Sequence, residues 1–120
     1  MLIEIKRSRF SPYGVDGTLW IDGAYVCDTV EHPQHYLYGG THGLKLLKNK
    51  TWQRHLPTMP QGATFCPANG AFALKRGSIA VGKRVMPGVL LQTNEVLTLL
   101  CNRIRKCVQR GGKVALKYVL

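Results

Sequence analysis

The stretch Thr18-Leu19-Trp20-Ile21-Asp22-Gly23-Ala24-Tyr25-Val26-Cys27-Asp28-Thr29-Val30 decides the fold. Two runs rich in β-branched and aromatic residues flank Asp22-Gly23. A two-residue type I′ turn favours that dipeptide, because both central positions need positive φ. The stretch therefore predicts an antiparallel hairpin. Upstream, Met1, Ile3 and Ile5 alternate with Leu2, Glu4 and Lys6, as a strand with one buried face would, and Pro12 to Gly17 reads as the connection. Beyond Glu31 the pattern weakens. Pro33, Gly39-Gly40, Gly43, Pro57, Pro60 and Gly62 punctuate short apolar pieces such as Leu44 to Leu47. Glu31 to Pro67 is accordingly read as a long irregular loop, either functional or mobile. Further strands are predicted at Ala71 to Leu74, at Ser78 to Val81 closed by Gly82, and at Val89 to Leu91 after a turn at Val85-Met86-Pro87-Gly88.

One helix is predicted, from about Asn94 to Arg110. Thr93 or Asn94 can cap it, Glu95 sits at its positive end, and Gly111-Gly112 stops it. Val96, Leu97, Leu100, Cys101, Ile104, Cys107 and Val108 share one stripe, which marks the core-facing side. Lys113 to Leu120 alternates again, with Val114, Leu116, Tyr118 and Leu120 on one side, as a closing strand. The expected fold class is α+β: a β-rich, mainly antiparallel, curved or barrel-like sheet with one C-terminal helix, in a single domain over residues 1–120.

Charge is the informative part of the composition. Lys plus Arg is 17 against 6 Asp plus Glu, a net +11 over 120 residues. All acids but Glu95 lie at or before Glu31, so the remainder of the chain is almost purely basic. Such a surface repels itself unless a polyanion, anionic lipid or acidic partner screens it. Lys75-Arg76 and Lys83-Arg84 bracket the strand at Ser78 to Val81, and Arg103, Lys106 and Arg110 line one flank of the helix. These seven are the expected anion-binding residues, although the helix trio also suits the negative helix end without any ligand. Lys45, Lys48, Lys50 and Arg54 lie beside Trp52, whose ring can stack on a base; taken alone, Trp52 reads as core. The competing reading of all these charges is a solvated exterior with no guest.

Several chemistries are disfavoured. The chain has no Walker loop, dinucleotide fingerprint or Gly-x-Ser-x-Gly elbow. With one acid after Glu31, paired carboxylates for glycosidase or Mg²⁺-dependent phosphoryl chemistry are improbable. His32, His35 and His42 lie near Cys27, Asp28 and Glu31, but Pro33 breaks the helix that would align the first two rings, so they read as loop histidines. No metal and no cofactor is expected. The cysteines at 27, 66, 101 and 107 show no two-residue spacing, and Cys101 and Cys107 point about 120° apart on a helix. With no apolar run of ~20 residues and no signal region at Met1 to Lys6, a cytoplasmic protein with reduced thiols and no membrane span is expected.

Two patterns carry a resemblance. Cys27-Asp28-Thr29-Val30-Glu31 ends the first hairpin, and Cys66-Pro67-Ala68-Asn69-Gly70 precedes Gly77-Ser78-Ile79-Ala80-Val81-Gly82. The chain resembles a domain-of-unknown-function family of small bacterial and phage proteins. In that family, Cys-Asp-Thr-Leu-Glu is followed by His-x-Gly-Asn, and a Gly-Cys-Ile-x-x-Gly strand precedes a C-terminal helix. The family arrangement is distantly similar to the L,D-transpeptidases of peptidoglycan, in which a cysteine thiolate attacks an amide carbonyl and a histidine takes its proton. Here Ser78 stands in place of the family's cysteine and Cys66 in place of its histidine, with Asn69 retained. Ser78 lacks a neighbouring histidine in sequence, and His42 or His55 would reach it only through the fold. The thiolate mechanism is expected to be lost. Cys66 as a swapped nucleophile and Cys66 as a buried structural thiol both stay open. The leading expectation is a non-enzymatic module of a bacterium or phage that binds nucleic acid or another polyanion; the alternative is a degenerate transpeptidase-like enzyme or an uncharacterised structural domain.

Overall fold

The computed structural model describes residues 1–119. Its strands are β1 (Leu2–Ser11), β2 (Gly14–Ile21), β3 (Ala24–Glu31), β4 (Thr41–Asn49), β5 (Arg54–Thr58), β6 (Phe65–Cys66), β7 (Ile79–Met86), β8 (Val89–Leu91) and β9 (Val114–Val119), with one helix, α1 (Thr93–Gln109). They form a sheet in the order β5-β4-β9-β1-β2-β3-β7-β6, with β8 added to β7. The sheet curls into a half-barrel and is mostly antiparallel; β1–β9 and β6–β7 are its parallel pairs. The expected α+β class with one C-terminal helix is what is observed. Asp22 (φ 48°) and Gly23 (φ 86°) make the two-residue turn between β2 and β3, both in the left-handed region, and Asp22 Oδ1 accepts the Leu2 N–H at 2.8 Å.

Period-two alternation divides the apolar residues between two cores. Phe65, Ile79 and Val81 join Ile3, Ile5, Leu19 and Leu116 in the larger core, which receives Val96, Leu97, Leu100, Cys101 and Ile104 of α1. Cys66 and Ala80, the alternate positions on β6 and β7, belong to a smaller core with Val30, Ala71, Leu74 and Leu90. Trp52 is half-buried against both cores, so its ring fills the seam between them.

The structure departs from the sequence reading in several places. Gly14 to Gly17 already belong to β2, and Pro12-Tyr13 alone make the turn. The region read as one long loop contains the β4–β5 hairpin and β6. Leu44 and Leu56 are buried, and Pro57 is tolerated because β5 lies at the sheet edge. Ala71–Ala73 is a 3-10 turn rather than a strand. Gly82 does not close β7, which runs on to Met86; a Cβ at Gly82 would stand 2.6 Å from the Leu91 carbonyl, so glycine permits β8 to approach. Gln92, left-handed at φ 55°, occupies the cap position of α1 and makes no side-chain capping bond, while the Thr93 hydroxyl donates instead to the Pro67 carbonyl at 3.0 Å. Cys107 is half-buried and Val108 exposed at the end of the helical stripe. Val114, Leu116 and Tyr118 are buried on β9; Leu120 lies outside the described residues. All four cysteines are free thiols. Among the described residues, no helix is long and apolar enough to cross a membrane.

Candidate functional site

The parallel pairing of β6 with β7 matches Phe65 with Ile79 and Cys66 with Ala80, so Cys66 and Ser78 lie on the same face, two positions apart in register. Both engage the backbone of one residue, Thr64. Ser78 Oγ accepts the Thr64 N–H at 3.1 Å, and the Cys66 thiol donates to the Thr64 carbonyl at 3.6 Å. Burial pushes the Cys66 thiol up to about 11, outweighing the Trp52 and Ser78 hydrogen bonds and the Lys75 charge that favour the thiolate. At neutral pH the sulfur is therefore protonated. Burial likewise pushes Cys27 up to about 12.

The histidines are engaged elsewhere. His42 Nε2 is 3.0 Å from the Gly39 carbonyl, and His32 stacks on His35 with ring centroids 4.4 Å apart. His55 is exposed on β5, its carbonyl facing the Cys101 thiol at 3.9 Å. Among the described residues, no imidazole hydrogen-bonds to Cys66 or Ser78, and no group of three His, Cys, Asp or Glu is placed to hold a metal. Asn69 serves the backbone: its Nδ2 donates to the Leu90 carbonyl at 2.9 Å and its own carbonyl accepts the Leu90 N–H at 2.8 Å, fixing β8. The motif residues thus come together as a packed, hydrogen-bonded joint.

The basic residues divide into two kinds. Arg84 is structural: its Nη2 donates to the carbonyls of Gly17 at 2.8 Å and Thr29 at 2.6 Å, its Nη1 lies 3.3 Å from Asp16 Oδ1, and its N–H donates to Asp28 Oδ2 at 2.8 Å. Lys75 and Arg76, in the turn before β7, Lys83 on β7, and Arg103, Lys106 and Arg110 on α1 and its end are exposed. Arg54 Nη2 donates to Thr98 Oγ1 of α1 at 3.1 Å. Four of the six carboxylates are drawn inward or onto the backbone. Glu31 pairs with Arg7, Asp16 with Arg84, and Asp22 and Asp28 accept backbone N–H groups. Among the described residues, these are the ion pairs: two, for seventeen basic side chains.

A third feature was not singled out from the sequence. Loop 32–38 and its neighbours carry rings in mutual contact. Phe10 meets Tyr36 edge-on at 5.4 Å, Tyr36 meets Tyr38 at 5.7 Å, and His32, stacked on His35, meets Phe72 at 5.6 Å. Phe10, Phe72 and Tyr38 are 55%, 72% and 89% exposed. The Gly77 N–H donates to the His35 carbonyl at 2.8 Å, which pins the Lys75-Arg76 turn against this loop. Beneath it, Arg7 Nε and Nη2 meet the two oxygens of Glu31 at 2.9 and 2.7 Å, and Nη2 also donates to the Leu37 carbonyl. Four ring-bearing residues among the seven from His32 to Tyr38 were the available signal.

Comparison with known proteins finds no matching family model, no matching curated protein and no matching solved structure.

Proposed function

We propose that the chain is a non-enzymatic binding module for polyanions, nucleic acid foremost, acting in the cytosol of a bacterium or its phage. The observation that carries this reading is where the charges lie. Asp16, Asp22, Asp28 and Glu31 are spent on Arg7, Arg84 and backbone amides, while Lys75, Arg76, Lys83, Arg103, Lys106 and Arg110 stand in solvent with no carboxylate partner among the described residues. Exposed cations that neutralise phosphates release condensed counterions, so binding of this kind is steeply salt-dependent. The expected result is affinity for a nucleic acid that weakens by about a hundredfold or more between roughly 50 and 200 mM salt. The combined substitution Lys75→Glu, Arg76→Glu and Lys83→Glu should abolish most of it. Binding indifferent to salt, or to these reversals, would overturn the reading.

The second reading, a degenerate peptidoglycan-peptide enzyme, is favoured by the adjacency of Cys66 and Ser78 alone. It requires Cys66 to alkylate with iodoacetamide faster than a model thiol at neutral pH. A protonated, buried sulfur reacts more slowly, and slow labelling removes this alternative.

A further inference from the structure

We infer that loop 32–38, together with Phe10 and Phe72, is a stacking platform for unpaired bases, so that the polyanion bound is single-stranded nucleic acid. The inference rests on the polyanion reading and narrows it to one ligand class and one place.

Three observations converge there. First, Phe10, Phe72 and Tyr38 hold their rings in water at 55%, 72% and 89% exposure, although each ring belongs to a small cluster or chain of edge-on contacts that orients it. Aromatic rings clustered at the surface mark a binding site rather than a core. Second, cations border the rings. Lys75 and Arg76 follow Phe72 in a turn bonded to the loop through Gly77 and His35. No carboxylate occurs from His32 to Asn94, so the loop and the Lys75-Arg76 turn contribute cations and no acid of their own. Third, the loop is pre-shaped. The buried Arg7–Glu31 pair grips the Leu37 carbonyl, and the Arg7 guanidinium lies 5.0 Å from the Tyr36 ring, which reduces the ordering cost of binding.

Aromatic faces beside a cationic surface are the physical recipe for holding bases and phosphates together, and every base has a π-face, so the recognition is sequence-tolerant. A duplex offers the same phosphates but hides its base faces inside the stack. The preference for single strands therefore belongs to the rings, and general polyanion affinity belongs to the cations.

The test uses the full chain, a fluorescein-labelled oligothymidylate of about 15 nucleotides, a duplex of equal length, and heparin, all followed by anisotropy at one salt concentration. The single strand should bind at least about tenfold more tightly than the duplex, and Tyr38→Ala and Phe72→Ala should each weaken single-strand binding about tenfold while leaving heparin binding unchanged. Both side chains are exposed, so neither substitution should disturb folding, and Tyr38→Phe should retain the affinity. Equal binding of single strand and duplex, unaltered by the ring substitutions, with heparin still bound, would overturn this inference and leave the polyanion reading standing. Failure to bind any of the three probes would overturn both.

Discussion

Arg7 carries a full charge into the interior because Glu31 meets it with both oxygens, and Tyr118 lies 4.2 Å from the guanidinium. Removing one partner strands the other charge in a dry site. Arg7→Ala or Glu31→Ala should therefore cost about 3–5 kcal/mol in chemical denaturation, and Arg7→Met with Glu31→Leu should cost much less. The thiols make a second prediction. Burial raises Cys66 to about 11 and Cys27 to about 12, from 9.0. Above pH 9 an unfolded chain releases these protons while the folded chain keeps them. Their contribution is thus complete below pH 9 and is lost as the pH rises through the folded values, which a denaturation series from pH 8 to pH 11 will detect as falling stability. Half-exposed Cys107 should alkylate before either of them. At this scale the two residues that the motif singles out lie near one another, both bonded to the backbone of Thr64. The motif was silent on their burial, which for Cys66 comes from packing with Val30, Ala68, Ala71, Leu74, Ala80 and Leu90.

Among the elements, the legible ones are those whose signal is local. The Asp22-Gly23 turn needs only its own two φ angles, and α1 is written in its own stripe from Val96 to Ile104. The strands that escaped the reading depend on distant partners. β4 finds half its hydrogen bonds on β9, where Gly43 faces Ala115, and no local pattern announces that pairing. Its alternation of Leu44 and Leu46 with Lys45 was present but masked by the surrounding glycines and prolines. Glycine itself separates two kinds of constraint. Gly23 has nothing within 4 Å of an added Cβ, so Gly23→Ala meets only the left-handed backbone and should cost about 1–2 kcal/mol. Gly82→Ala would drive a methyl group to 2.6 Å from the Leu91 carbonyl and prise β8 from β7. Thermal melts should show Gly82→Ala as the more damaging of the two.

For the molecule as a whole, the charge asymmetry visible in the sequence has a folded counterpart: Asp16, Asp28 and Glu31 end up as ties of β1, β2, β3 and β7, and most of the cations on the exterior. A predominantly cationic surface opposes its own compaction, so the melting temperature should rise as salt increases from about 10 to 150 mM, where screening shortens to about 8 Å. A melting temperature that falls or stays level would show that the cations are already neutralised. The position of β9 has a different outcome. It stands between β4 and β1, and its ladder joins the β5–β4 hairpin to β1, while a single bridge from Thr58 to Thr64 links β5 towards β6. A nascent chain can make its first three strands early, but Thr41 to Leu44 find their ladder partner only once Val114 to Val119 has left the ribosome. Until that moment a translating polypeptide leaves the facing edges of β4 and β1 unfilled, and an unpaired edge is a template for pairing with another chain.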